Sequence, residues 1–285
     1  MSGEVKLPST GGDRAVQGRP LVFRPAAAVR ACWRLTRAVV HGLHGLAVVW
    51  LRFPRLDAHG RQARIAWWAR KMFAVLGIGL DVRGDFRPGA KLIVANHISW
   101  LDIMAVHAVC PQARFVSKAD VQAWPVIGRL VGAAGTLYIV REKARDALRV
   151  VHQMADALAT GDTVAVFPEG TTGLGHEPLP FHANLLQAAI ATQVPVQAVA
   201  LRYADARHAV SPAADYTGTI SLARSLWMLA AAQGLFVRVD VLPAESVRHA
   251  DRRALAAHLR QEIADALERM EEQPNPAAHH GDAQR

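Results

Sequence analysis

From about residue 80 onward, short apolar runs rich in β-branched residues alternate with segments of helical periodicity. The expected strands are 79–83, 91–95, 113–117, 136–140, 163–167, 195–201 and 235–242. The expected helices are 100–109, 125–133, 142–160, 181–192, 219–233 and 250–272. Chains that alternate strands and helices in this way form layered α/β folds, in which most strands are parallel. The pattern therefore predicts an α/β fold with a mostly parallel central sheet flanked by helices.

Residues 26–52 form a helical pattern that precedes this region. Five polar residues recur there at intervals of 4, 3, 4 and 3, which places them on one face of a helix. They are Arg30, Arg34, Arg37, His41 and His44. The longest uncharged stretch, 38–51, has 14 residues, and a membrane-spanning helix needs roughly 20. An amphipathic helix lying in a membrane interface fits this pattern. A short or tilted insertion and an ordinary amphipathic helix packed on the core are the alternatives.

A second helical pattern, residues 60–79, combines aromatic and basic residues. Four of the seven tryptophans precede residue 72, and Trp beside Arg is typical of a membrane–water boundary. Residues 1–71 carry 13 Lys and Arg against 3 Asp and Glu, whereas the remainder carries 20 against 21. Such a local basic surplus indicates a polyanionic partner surface. The apolar residues around the charges favour an anionic membrane and argue against nucleic acid.

The termini and the cysteines place further bounds on the chain. Residues 1–20 are polar and rich in Gly, Pro and charge, which predicts disorder and no secretory signal. Residues 273–285 also have a composition typical of disorder. Two cysteines, Cys32 and Cys110, cannot form a disulfide framework, so we expect a reducing compartment.

The first chemically informative stretch is NHISWLD, which follows the apolar run KLIVA directly. His97 is thereby expected at a strand-to-helix turn, where sites in open α/β sheets tend to lie. Asp102, in the first turn of the next helix, can reach back to the imidazole. The pair would supply a base and the carboxylate that orients it. The alternative is a capping box with Ser99 as the N-cap and Asp102 at N3, and the two interpretations are compatible.

A second stretch, FPEGTTG, also follows an apolar run. Pro168 and Gly170 predict a turn, and Gly170 allows the backbone to approach a ligand closely. Glu169, Thr171 and Thr172 add hydrogen-bonding groups at the carboxyl end of the strand. Taken alone, this stretch favours an ordinary loop over a functional turn.

Four segments in order resemble the conserved blocks of the glycerolipid acyltransferase family, of the lysophosphatidic acid acyltransferase type. NHISWLD resembles its N-H-x-x-x-x-D block, and residues 135–141 resemble its G-x-x-x-x-x-R block. FPEGTT resembles its F-P-E-G-T block, and residues 194–200 resemble its V-P-V-x-P-V block. The resemblance covers most of residues 80–245. Two positions depart from it: Thr172 stands where the family often has Arg, and Ala198 where it usually has Pro.

The resemblance implies the reaction and the role of each residue. His97 would be the general base that deprotonates the acceptor hydroxyl, with Asp102 as its orienter. The residues implied to bind the head group of the acceptor are Lys118, Arg141, Glu169, Gly170, Thr171 and Thr172. The acyl donor would be the thioester of acyl-carrier protein or coenzyme A, with no cofactor and no metal. The acceptor would be 1-acyl-sn-glycerol-3-phosphate, giving phosphatidic acid; lyso-ornithine lipid or lysophosphatidylethanolamine is the alternative.

These interpretations divide the chain into four parts. Residues 1–20 and 273–285 are expected to be disordered, 21–79 to form a membrane-associating helical segment, and 80–272 to form the acyltransferase domain. The protein is expected at the cytoplasmic face of the inner membrane, peripheral or shallowly inserted. A hydrolase is less favoured because the chain has no G-x-S-x-G nucleophile elbow. A lipid-binding protein without catalysis would not need His97, Asp102 and Glu169 together.

Overall fold

The computed structural model describes residues 25–124, 126–139 and 144–272, and all seven expected strands occur within them. The strands are β1 Gly79–Arg83, β2 Lys91–Ala95, β3 Ala113–Lys118, β4 Leu137–Ile139, β5 Thr163–Val166, β6 Val196–Ala204 and β7 Phe236–Glu245. They form one sheet in the order β1-β7-β6-β2-β5-β3-β4. Every pair is parallel except β6 with β7. The predicted α/β fold with a mostly parallel sheet is therefore confirmed.

The expected helices are also present among the described residues. They are α1 Pro25–Leu51, α2 Ala58–Leu76, α3 Leu101–Val109, α4 Ile127–Ala133, α5 Ala144–Ala159, α6 Gln187–Thr192, α7 Leu222–Ala231 and α8 Arg252–Glu272. One expectation was too long: the segment 181–192 is helical only from Gln187, and Ala183–Leu186 form a 3-10 turn before it. The terminal segments 1–20 and 273–285, expected to be disordered, lie outside the described residues.

Two apolar clusters pack on the two faces of the sheet. One contains α2, α3 and α7 residues together with Leu201 and Tyr203, and the other contains α5, α6 and α8 residues together with Ala198 and Ala200. Residues of β6 thus alternate between the clusters, as a pleated strand requires. Because both faces are covered, all residues of β2, β5 and β6 are buried, and these strands read as near-continuous apolar runs.

The parallel arrangement of β2, β3 and β5 determines where a site can form. These strands are neighbours in the order β2-β5-β3, so their carboxyl ends meet at one edge of the sheet. The segment after β2 contains the N-H-x-x-x-x-D block, and the segment after β5 contains the F-P-E-G-T block. Ligand sites in open α/β sheets lie beyond the carboxyl ends of the strands.

Three residues of the polar stripe of α1, Arg30, Arg34 and His41, contact the rest of the protein. Arg30 donates to the Ala231 carbonyl at 2.7 Å, and Arg34 donates to the carbonyls of residues 230 and 232 at 3.1 and 2.6 Å. These carbonyls end α7, where a helix has unsatisfied acceptors and partial negative charge. Further along α1, a nitrogen of the His41 ring lies 3.0 Å from the Trp68 carbonyl of α2. The stripe therefore binds α1 to the domain.

The apolar side of α1 is consequently turned to the outside. Seven large apolar side chains of this helix are between 53% and 70% exposed. They are Val29, Trp33, Val39, Val40, Leu43, Trp50 and Leu51. None of the helices in the described ranges has both the length and the apolar character that are needed to cross a bilayer. The result is an amphipathic helix docked through part of its polar face, with an apolar face that the described residues leave exposed.

We expect Arg34→Ala to lower the free energy of unfolding by about 1.5–3 kcal/mol, because hydrogen bonds to charged groups have that value. Arg37→Ala is the matched control, since Arg37 belongs to the same stripe but is exposed and makes its described contact with the Trp33 ring of its own helix. Its effect should stay within about 0.5 kcal/mol. Urea denaturation of both variants measures the difference. Equal losses of unfolding free energy in the two variants would show that the bonds from Arg34 to the end of α7 do not hold α1 in place.

Candidate active site

Asn96 fixes the point at which the chain leaves the sheet. Strands β2 and β6 are paired up to Ala95 and Val199. Beyond this pair the Asn96 side chain continues the pairing: its Nδ2 donates to the Leu201 carbonyl at 2.9 Å, and the Leu201 amide donates to its Oδ1 at 2.8 Å. The side chain is 2% exposed. Asn96 therefore anchors the turn that carries the next residue, His97.

His97 and Asp102 form the hydrogen-bonded pair that the sequence predicts. Nδ1 of His97 lies 2.8 Å from Oδ2 of Asp102. An ionised carboxylate can only accept, so Nδ1 carries the proton and the lone pair is on Nε2. The imidazole also stacks on the Phe167 ring, with centroids 4.0 Å apart and planes 7° apart. The hydrogen bond thus fixes the tautomer of the imidazole, and the stacking fixes the plane of the ring.

The Asp102 carboxylate accepts three further hydrogen bonds. The amides of Ile98 and Ser99 donate to Oδ2 at 2.7 and 2.9 Å, and the Tyr203 hydroxyl donates to Oδ1 at 2.8 Å. Asp102 is completely buried, and a buried charge needs such partners. Burial, with the nearby negative charge of Asp102, raises the pKa of Tyr203 well above its ordinary value. The phenol consequently stays protonated as a donor.

The capping box predicted for Ser99 and Asp102 is only half formed. The Asp102 carboxylate accepts from the Ser99 amide, but the Ser99 hydroxyl oxygen lies 3.5 Å from the Leu101 amide and makes no bond to the Asp102 amide. The residue that precedes α3 is Trp100, which makes no side-chain cap. The Asp102 carboxylate thus binds the turn before α3 and orients His97.

The F-P-E-G-T block is tied to the main chain of His97. The His97 amide donates to Oε1 of Glu169 at 2.9 Å, and the Gly173 amide donates to the His97 carbonyl at 2.7 Å. The other oxygen of Glu169 accepts from the Leu179 amide at 3.2 Å. Both backbone polar groups of His97 are thus satisfied by the turn after β5. The two loops form one unit.

The Glu169 side chain is buried within the described part of the structure. It is 5% exposed, and burial raises its pKa to about 7, although the amides of His97 and Leu179 act to lower it. Gly170 beside it has φ +71°, and a Cβ there would lie 3.1 Å from the His182 ring. Gly is therefore required for this turn. A direct contact of Glu169 or Gly170 with a head group stays a prediction.

The other expected head-group residues have different surroundings. Thr171 is exposed, and the Thr172 hydroxyl donates to the Tyr216 carbonyl at 2.7 Å. Lys118 ends β3, at the same edge of the sheet as His97, but its side chain is outside the described part of the structure. Arg141 also lies outside the described residues. Their roles stay predictions.

An apolar cavity of about 470 Å³ reaches His97. Helices α1, α2, α3 and α4 contribute to its wall, so it lies between the sheet edge and the N-terminal helices. Three of its lining residues, Trp67, Trp124 and Ile127, are also 38–45% exposed. The cavity therefore opens beside the exposed apolar surface of the protein.

Sequence reasoning assigned no role to Asn96 and did not identify Tyr203. The signal for Tyr203 was weak, because the predicted strand ends at residue 201, whereas β6 continues to Ala204 and buries Tyr203. A buried tyrosine hydroxyl usually has a hydrogen-bond partner. The identity of that partner follows only from the three-dimensional contact of β6 with α3. The arrangement as a whole can accept a proton at Nε2 of His97 and stabilise the resulting imidazolium.

Comparisons with known proteins show the family of the chain. A family model described as Acyltransferase matches residues 80–202. The chain is 37% identical to a 1-acyl-sn-glycerol-3-phosphate acyltransferase of Neisseria meningitidis, over 68% of this chain and 76% of that protein. It is 35% identical to a lyso-ornithine lipid O-acyltransferase of Pseudomonas aeruginosa, over 82% of this chain and 91% of that protein.

A solved structure has the same fold. The crystal structure of the 1-acyl-sn-glycerophosphate acyltransferase PlsC from Thermotoga maritima superposes with a TM-score of 0.65 at 17% identity. The match covers 87% of this chain and 98% of that one. The ordered blocks, the His97–Asp102 pair and these relatives lead to one conclusion: the chain belongs to the glycerolipid acyltransferase family and is a lysolipid O-acyltransferase.

Proposed function

We propose that the protein transfers a fatty acyl group from the thioester of acyl-carrier protein or coenzyme A to 1-acyl-sn-glycerol-3-phosphate, giving phosphatidic acid. One observation carries the proposal. The Nδ1 atom of His97 is held by a buried carboxylate, while the imidazole lines an apolar cavity. A base in this position can deprotonate an acceptor hydroxyl while the adjacent cavity holds an acyl chain.

The proposed reaction needs no acyl-enzyme. Nε2 of His97 takes the proton of the acceptor hydroxyl as its oxygen attacks the thioester carbonyl, and Asp102 stabilises the imidazolium. A tetrahedral intermediate forms and then collapses by breaking the carbon–sulfur bond. The departing thiolate takes the proton from His97, so the ester and the free thiol are the products and the base is restored.

The cavity gives the acyl chain a place during the reaction. Its wall is mostly apolar, with aromatic residues such as Trp67, Trp68 and Trp100. Burial of a methylene group contributes about 0.8 kcal/mol, so a chain in this cavity would position the thioester beside His97. This binding energy orients the donor for the chemical step.

The exposed face of α1 supports membrane association, because large exposed apolar patches mark interaction surfaces. The cavity opens beside it, so a lysolipid could move from the bilayer towards His97 without crossing water. We place the protein on the cytoplasmic face of the inner membrane, at the interface. The arginines that dock α1 on α7 point away from this face, so apolar burial supplies most of the affinity.

Lyso-ornithine lipid is the second candidate acceptor. A phosphate monoester carries nearly two charges, and Arg binds it with paired hydrogen bonds. Thr172 stands where the family often has Arg, and its hydroxyl is already bonded to the Tyr216 carbonyl. In addition, the relative from Pseudomonas aeruginosa that acts on lyso-ornithine lipid matches a larger share of the chain than the Neisseria meningitidis relative.

We expect His97→Ala to reduce acyl transfer by at least roughly 100-fold, the lower range for general-base catalysis. Asp102→Asn should reduce it less. The exposed His152 of α5 gives the control, because His152→Ala removes an imidazole far from the cavity. Transfer of labelled acyl groups by purified, folded enzymes measures the effect. A folded His97→Ala protein with near-normal turnover contradicts the mechanism.

The membrane proposal predicts that Trp33→Ser combined with Leu43→Ser weakens binding to anionic liposomes by more than 10-fold. Full burial of each such side chain contributes about 1.5–3 kcal/mol, and 1.4 kcal/mol is a factor of ten. Leu148→Ser is the control, since Leu148 is 64% exposed, as Trp33 is 63% exposed, but belongs to α5. Sedimentation with liposomes should also change little between low and high salt. Equal binding of all variants to the liposomes would show that α1 is not the membrane anchor.

Thr172→Arg tests the acceptor. If position 172 faces the head group, the variant should shift catalytic efficiency towards lysophosphatidic acid, relative to lyso-ornithine lipid, by about 1–3 kcal/mol. Thr171→Arg is the matched control, because Thr171 is the exposed neighbour. An unchanged ratio in both variants would show that residue 172 does not contact the head group.

A further inference from the structure

A second histidine lines the cavity, at a distance from the catalytic pair. His107 lies five residues after Asp102 on α3, which is about 7.5 Å further along the helix axis. It borders the same cavity as His97 and is 7% exposed. Its Nδ1 is buried and has no hydrogen-bond partner within the described part of the chain. The proposed mechanism makes no use of this group.

His107 is held by aromatic contacts and is uncharged. Its ring packs edge-on against Phe115, with centroids 5.2 Å apart, and Phe115 stacks on Phe167 at 5.4 Å. Phe167 in turn stacks on His97. Burial lowers the pKa of His107 to about 4, so the imidazole is neutral near pH 7. It therefore has one nitrogen that accepts and one that donates.

Ser117 places a second polar group in this part of the wall. It lies two residues after Phe115 on β3, so both side chains are on the same face of the strand. Phe115 contacts His107, and Ser117 lines the cavity with it. No hydrogen bond of the Ser117 hydroxyl occurs among the described residues. A neutral imidazole and a hydroxyl thus face a space that is otherwise mostly apolar.

We propose, on the basis of the proposed function, that His107 and Ser117 select acyl chains that carry a hydroxyl group part-way along the chain. Nδ1 of His107 has almost no accessible surface, so Nε2 is the nitrogen that a ligand could meet. An acyl chain without a polar group would cover Nε2 and the half-buried Ser117 hydroxyl and leave both without partners, which is costly. A hydroxyl on the chain could instead donate to Nε2 and accept from Ser117. A carboxylate or an ammonium group would lose its hydration without gaining a counter-charge. The selected hydroxyl lies away from the thioester because His107 is remote from the pair that performs the transfer.

The test compares three thioesters with the purified full-length protein and a lysolipid acceptor. They are stearoyl, 10-hydroxystearoyl and 2-hydroxystearoyl thioesters, each supplied on coenzyme A and on acyl-carrier protein. The 10-hydroxy chain carries its hydroxyl in mid-chain, and the 2-hydroxy chain carries it next to the carbonyl. We expect kcat/KM to favour the 10-hydroxy chain over stearoyl by about 10-fold, which corresponds to one recovered hydrogen bond, and to show no such gain for the 2-hydroxy chain.

Three variants assign the preference to the two residues. His107→Leu should abolish the preference while stearoyl transfer remains, because Leu fills the space without a polar atom. His107→Gln should retain much of it, because a neutral amide also accepts and donates. Ser117→Ala should retain part of the preference for the 10-hydroxy chain. The Gln variant also keeps the test valid if the Leu variant does not fold.

The possible outcomes separate the two proposals. Equal use of stearoyl and 10-hydroxystearoyl chains by the wild-type protein overturns the selection by His107 and Ser117. So does a preference that persists in folded His107→Leu. No transfer from any of the thioesters to any lysolipid would instead overturn the proposed function.

Discussion

The buried carboxylate of Asp102 is the group on which the active site depends. It accepts hydrogen bonds from the His97 imidazole, from two consecutive amides of the turn and from the Tyr203 hydroxyl. One side chain therefore shapes the turn after β2, orients the base and connects it to β6. A charge with no exposure to solvent is stable only when its acceptor sites are filled. The hydrogen bonds that satisfy the Asp102 carboxylate thus also keep His97 in place.

The second constraint comes from the parallel sheet. Because β2, β5 and β3 end at one edge, segments separated by 72 residues meet there, and the Glu169 carboxylate accepts directly from the His97 amide. The side chain of His97 is positioned by Asp102 of its own block, and its main chain by the F-P-E-G-T block. The cavity begins at this point and continues towards the N-terminal helices, so the sheet edge joins the polar chemistry to an apolar volume.

Much of this could be predicted from the sequence, and the limits have physical reasons. Runs such as KLIVA identify strands because both faces of the sheet are covered, and the His97–Asp102 spacing identifies the pair because it depends on local geometry. The bonds of Glu169 to the His97 amide and of Tyr203 to Asp102 were not predictable in this way, since these partners lie 72 and 101 residues away along the chain. Periodicity also places Arg30 and Arg34 on one helix face but cannot tell which face docks. Here the arginines bind the end of α7, and the apolar face that would ordinarily be buried is outside.

The docking of α1 has a consequence for the order of events during synthesis. Its arginines bind carbonyls that occur 196 to 201 residues later in the chain. At 5–20 residues per second, translation takes roughly 10–40 s to reach them. During this interval the helix has no folded domain to bind, and an amphipathic helix with free arginines is suited to an anionic lipid surface. On this view the nascent chain reaches the proposed membrane first, and the catalytic domain then assembles on the helix and withdraws the arginines from the lipid.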